Sequence, residues 1–136
     1  MRYLKINRQT EIPDISDCAP FKVVIVADYA VSRQRRAEIS ARLIEMGCRY
    51  LMSCGEDCES WCHSIRTANL EAYDIDDMSP RDFVMTTSHP TEPMRWVLWF
   101  AKKMANHPEN DFKEVVMLHF ADQDRSGEFH TLYHKA

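Results

Sequence analysis

The segment Phe21–Ala27 reads FKVVIVA, β-branched and apolar on both of the faces a strand presents. Such a strand has to be covered on both sides, which directs the chain toward a sheet enclosed by helices. The residues that follow supply those covers. Ser32 offers a helix N-cap, Ile39, Leu43 and Met46 recur at helical spacing, and Gly47 stops the segment. Cys48–Ser53 (CRYLMS) is a second, short strand, and from about Asp57 the residues Trp61, Ile65, Ala68 and Ala72 mark one face of a second helix.

A polar connection, YDIDDMSPR, leads to a third strand at Asp82–Thr87 (DFVMTT). Thr91 can cap a third helix with Pro93 in its first turn, where proline is tolerated. Met94, Val97, Leu98, Ala101, Met104 and Ala105 form its inner stripe, NHPEN ends it, and Lys113–Phe120 (KEVVMLHF) is a fourth strand.

Three strand–helix–strand units in succession predict an α/β fold: a three-layer α/β/α sandwich on a mostly parallel sheet of four to five strands, flavodoxin- or Rossmann-like, with right-handed crossovers. Numbering these four segments in order, the expected sheet order is 2-1-3-4, with the most apolar segment central. The chain reads as one α/β domain over 1–136. Residues 1–20 form an N-terminal arm that adds a short strand or wraps the surface. Residues 121–136 form a tail in which Glu128–His134 returns as an antiparallel edge strand or hairpin.

Composition narrows the class without naming an activity. At 136 residues, 45% hydrophobic and 28% charged, the chain can build one core and is neither disordered nor fibrous. A net charge of -4 argues against general nucleic-acid binding, which needs cations for phosphates. Met1–Thr10 (MRYLKINRQT) holds no apolar run of signal-peptide or membrane-span length, so no membrane partner is expected. Five cysteines, an odd number, point to free thiols and a cytoplasmic location.

In open α/β sheets, ligands bind beyond the carboxyl ends of the strands. The candidates there are Asp28 after the first strand, Cys54 and Glu56 after the second, His89 after the third and His119 in the fourth. Arg33, Arg35 and Arg36 crowd the start of the first helix, against the helix dipole; either they form a solvated cluster or Arg33 and Arg36 hold a small anion. No glycine-rich phosphate loop accompanies them, and no cofactor is named by the residues. His89 and His119 are candidate acid–base groups, and Cys54, His89 and Asp28 can be written as a nucleophile–histidine–carboxylate set. Cys54, Cys58 and Cys62, with His63, have ligand chemistry, but Cys58 and Cys62 share the sheet-facing stripe of Trp61 and Ile65, and no metal site is assigned.

Trp96, Trp99 and Phe100 widen the apolar surface of the third helix beyond what one sheet face needs, so they are covered intramolecularly or form a homodimer contact. The leading functional reading is a small-molecule or anion-binding module, open as to catalysis, with its site on the carboxyl edge. The alternative is a non-catalytic homodimeric or partner-binding protein working through helix 94–105.

Two stretches, CGEDCESW at Cys54–Trp61 and FVMTTSHPTEP followed by LWFA at Leu98–Ala101, resemble a family of small bacterial proteins classed as a domain of unknown function. The likeness runs from Phe21 to Phe120, with Ser88 standing where that family's TTWH-like string has tryptophan. The resemblance implies signature regions in the loops after the second and third strands and brings no catalytic assignment.

Overall fold

The computed structural model describes residues 1–136. Its strands are β1 (Arg2–Ile6), β2 (Phe21–Ala27), β3 (Cys48–Gly55), β4 (Met85–His89) and β5 (Glu114–Phe120). Its helices are α1 (Arg33–Met46), α2 (Cys58–Ala72), α3 (Met94–Lys103) and α4 (Ser126–Lys135). All five strands are parallel, in the order β1-β5-β2-β3-β4. The α/β class and the central place of FKVVIVA hold, and every residue of β2 is buried.

The strand order departs from the expected 2-1-3-4. Segment three (β4) lies outside segment two, and segment four (β5) lies on the far side of segment one. The reason is apolarity on two faces. VVMLHF of β5 is buried throughout and takes an inner position, whereas MTTSH of β4 is half-buried and tolerates the edge. The N-terminal arm supplies the other edge as β1, paired with β5 from Arg2↔Val116 to Ile6↔Phe120. The tail is helix α4, not an antiparallel strand. Phe129, Leu132 and Tyr133 fall at helical spacing and pack with Val97, Leu98 and Ala101 of α3. The third strand starts later than expected, because Pro80–Asp82 forms a 3-10 turn.

Helices α1 and α2 cover one face, with Leu43, Trp61, Ile65 and Phe120 in its core; α3 and α4 cover the other. Two glycines set junctions. Gly47 ends α1 at φ 107°, and Gly55 ends β3 at φ 87° where a Cβ would lie 2.3 Å from the Ala27 carbonyl oxygen. Ser32 caps α1, its hydroxyl accepting from the Arg35 N–H at 3.2 Å. Buried Lys22 donates to the carbonyls of Ala101 and Ala105, placing a cation at the negative end of α3.

Candidate functional site

The connections leaving β2 and β5 diverge: β2 leads to α1 on one face, β5 to α4 on the other. Adjacent parallel strands whose exits part in this way open a crevice at their carboxyl ends, the position where such sheets take ligands. Asp28 follows β2 and donates its N–H to the Phe120 carbonyl at 2.9 Å. His119, on β5, pairs with Val26 one rung below.

These two side chains meet. His119 Nε2 is 2.7 Å from Asp28 Oδ2, and Nδ1 is 2.6 Å from the Tyr3 hydroxyl, which also accepts the Arg125 N–H at 3.1 Å. A carboxylate only accepts, so Nε2 carries the ring proton. In a singly protonated ring, Nδ1 is then the acceptor for the Tyr3 O–H. The imidazole is fully buried, with Phe129 at 5.1 Å edge-on, while the Asp28 side chain is 45% exposed. The exposed end of the Tyr3–His119–Asp28 chain is therefore the carboxylate, with Oδ2 fixed by histidine and Oδ1 bound to no other protein group. Burial raises the pKa of Tyr3, keeping its proton in place as donor.

Charged groups line the same rim. Lys5 Nζ donates to the Asp122 carbonyl at 3.4 Å. Arg8 lies 3.8 Å from Asp122 Oδ1 with its guanidinium 4.1 Å above the Tyr29 ring. Arg125 pairs bidentately with Glu128 at 2.8 and 2.7 Å; that hydrogen bonding, with a contribution from Asp28, raises its pKa.

The remaining candidates do not join this group. Lys5, His119, Val26, Cys54 and His89 occupy one rung across the sheet. At about 4.8 Å per strand, His89 lies about 14 Å from His119. Asp28, at the end of β2, is two strand spacings or about 10 Å from β4, and Cys54, His89 and Asp28 each bond to other partners, so the set Cys54–His89–Asp28 is not assembled. Cys54 is buried, its thiol donates to the Ile25 carbonyl at 3.2 Å, and burial pushes it up to about 12, so it is protonated at neutral pH. His89 is buried beneath Trp96 and Phe100, with Nε2 2.8 Å from Thr87 Oγ1 and Nδ1 3.8 Å from Glu92 Oε1; burial lowers its pKa. Glu56 is exposed beyond β3, its N–H donating to the Ala27 carbonyl.

The arginine cluster at α1 has an internal explanation. Arg35 clamps the loop after β1, donating to the carbonyls of Arg8 (2.7 Å), Asn7 (3.0 Å) and Thr10 (2.6 Å). Arg36 donates to the Val31 carbonyl and lies 3.9 Å from Asp57, while Arg33 is exposed. The acid that compensates Arg36 is Asp57. A cleft of about 510 Å³ between this loop and α1 is lined by Arg8, Arg35, Glu38 and Arg42 among others, and by neither Asp28 nor His119.

Cys58 and Cys62 lie on the buried stripe of α2; Cys62 is raised to about 11 by burial, and His63 is exposed. No three His, Cys, Asp or Glu side chains are grouped to hold a metal ion. On α3, Trp96 stacks on Phe100 (5.4 Å, 13°), and Trp96 and Trp99 are 38% and 39% exposed beside Leu132 of α4.

Two residues of the relay escaped the sequence reading. Tyr3 and Arg125 lie in the arm and the tail; the pairing of β1 with β5 brings Tyr3 to His119, and the Arg125 N–H then meets the Tyr3 hydroxyl.

The chain belongs to the family described as "Domain of unknown function (DUF7684)", whose model matches residues 1–136. The match extends through the arm and the tail, so it includes Tyr3 and Arg125. No curated protein and no solved structure matches the chain significantly. No helix is long and apolar enough to cross a membrane.

Proposed function

We propose that this protein binds a small polar molecule bearing an anionic group in the crevice between β2 and β5. Asp28 Oδ1 accepts a hydrogen bond from the ligand's hydroxyl or amino group. Arg8, Lys5 and Arg125 on the rim attract its anion. The observation that carries this reading is the 2.7 Å bond from buried His119 to half-exposed Asp28, backed by Tyr3. A solvent-facing carboxylate held by a buried imidazole is pre-oriented before any ligand arrives, which lowers the ordering cost of binding. The five cysteines, none paired in a disulfide, support a cytoplasmic setting for this role.

Amide NMR titration with inorganic phosphate and with adenosine monophosphate, two probes of anion binding, tests the proposal. Shifts are expected at Lys5–Arg8, Asp28 and Ala121–Ser126, and Asp28→Asn is expected to weaken adenosine monophosphate binding about ten-fold, the loss of one charge-assisted contact. No shift at millimolar probe, or shifts confined to the cleft around Arg35 and Arg42, would sink it.

A second reading rests on the exposed indoles of Trp96 and Trp99, which leave a groove of about 400 Å³ between α3 and α4. Aromatic surface of this kind suits a protein contact. Loss of a co-purifying protein on Trp99→Ala would favour it.

A further inference from the structure

The two edges of the sheet differ. Edge strand β1 carries Arg2 and Lys5, charges that discourage pairing with another strand. Edge strand β4, Met-Thr-Thr-Ser-His, carries no lysine, arginine, carboxylate or proline, pairs only with β3, and has no strand partner on its outer side. Helix α2 runs along this edge in the opposite direction. The Cys62 thiol donates to the Thr87 carbonyl, Arg66 Nη1 donates to Thr86 Oγ1 at 3.0 Å, and Asn69 holds the Val84 N–H at 3.1 Å. On the edge side of α2 lie Glu59, Arg66 and Leu70, all exposed. Glu59, Cys62 and Arg66 flank a groove of about 290 Å³ above Thr86–Ser88.

We propose that β4 is the docking edge for a second copy of this chain, pairing antiparallel with its own symmetry mate about Thr87 to give a continuous ten-stranded sheet. A two-fold axis through Thr87 sets Thr86 opposite the partner's Ser88 and Met85 opposite the partner's His89. The same axis turns α2 end for end. Glu59, at the Ser88 end, then faces the partner's Arg66, at the Thr86 end, and the reciprocal pair forms across the axis. Each copy thus meets a surface of opposite charge in the register that pairs the strands.

The spacing agrees. Helix α2 contacts both β3 and β4, so its axis lies about half a strand spacing inside the edge. Adding one strand spacing between copies brings the two α2 axes about 10 Å apart, the distance at which helices pack. Two exposed apolar side chains gain cover. Leu70, 50% exposed, lies at the end of the α2–α2 contact, and Phe83, 48% exposed, meets the turn that follows the partner's β4.

Sedimentation equilibrium of the full chain, over micromolar to millimolar concentration, is expected to show a species of twice the 16.0 kDa chain mass. Glu59→Lys and Arg66→Glu, each at an exposed position, are expected to weaken the dimer about ten-fold singly, because each breaks two ion pairs and creates two repulsions. The double reversal Glu59→Lys with Arg66→Glu restores the wild-type constant. Hydrogen exchange of the Met85–His89 amides slows as concentration rises. Circular dichroism confirms that each variant is folded. A monomer at every concentration, a double variant as weak as the singles, or a dimer insensitive to both reversals but abolished by Trp99→Ala would each overturn the proposal.

Discussion

Replacing Tyr3 by phenylalanine isolates one link of the relay. The ring survives, and with it the packing against His119 at 5.7 Å and Phe129 at 6.1 Å. Only the hydroxyl is lost, and two groups lose a partner. The Arg125 N–H begins a surface helix beside a 44% exposed side chain, so water can replace the tyrosine there. His119 Nδ1 has no such recourse, because the residue is fully buried. The cost is that of one buried, unpaired acceptor, about 1–3 kcal/mol. With an unfolding entropy of about 2.1 cal/mol/K per residue, ~2 kcal/mol in a chain of this length lowers Tm by about 7 °C. Urea denaturation gives the free energy, and imidazole nitrogen NMR gives the tautomer, expected as Nε2–H in the wild type. Asp28→Asn provides the contrast. Its amide oxygen can still accept from Nε2–H, so the stability loss should stay near ~1 kcal/mol while ligand binding falls. The two substitutions share His119, and their effects should not add. A Tyr3→Phe protein destabilised by less than ~0.5 kcal/mol, with the proton found on Nδ1, would refute the relay.

Burial lowers the pKa of His89, so below about pH 6.5 the unfolded chain binds a proton that the folded chain resists. Stability should therefore fall as pH drops through that window, and His89→Gln should flatten the slope; equal slopes in urea midpoints against pH would contradict it. Gly55→Ala forces a left-handed backbone onto alanine and drives a Cβ to 2.3 Å from a backbone oxygen, so a loss of more than ~3 kcal/mol is expected. Gly127→Ala, within α4 with nothing inside 4 Å, should instead stabilise by about 0.5–1 kcal/mol. Similar urea midpoints for the two variants would refute the contrast.

Much of the edge carrying the candidate site was legible beforehand, since Asp28, Cys54, His89 and His119 all lie at carboxyl ends of parallel strands. Their partnerships were not. Which of them touch depends on which strands are neighbours, and an order of 2-1-3-4 would have set β4 beside β2, bringing His89 toward Asp28. The observed order gives that place to His119. The tail misled for a local reason: EFHTLYH contains strand-favouring residues, but Phe129, Leu132 and Tyr133 fall on one helical face and fit the cleft beside α3.

What the sequence alone determined is set by short-range physics: a double-faced apolar strand must be central, Ser32 starts a helix, Gly47 ends one, and alternating strands and helices impose a parallel sheet. Tertiary structure decided everything that depends on neighbours. A tyrosine at position 3 and an aspartate at position 28 meet through His119 because β1 pairs with β5 and β5 with β2. Strand adjacency is fixed by the competition of all segments for the inner places of one sheet, and no window of sequence contains that competition.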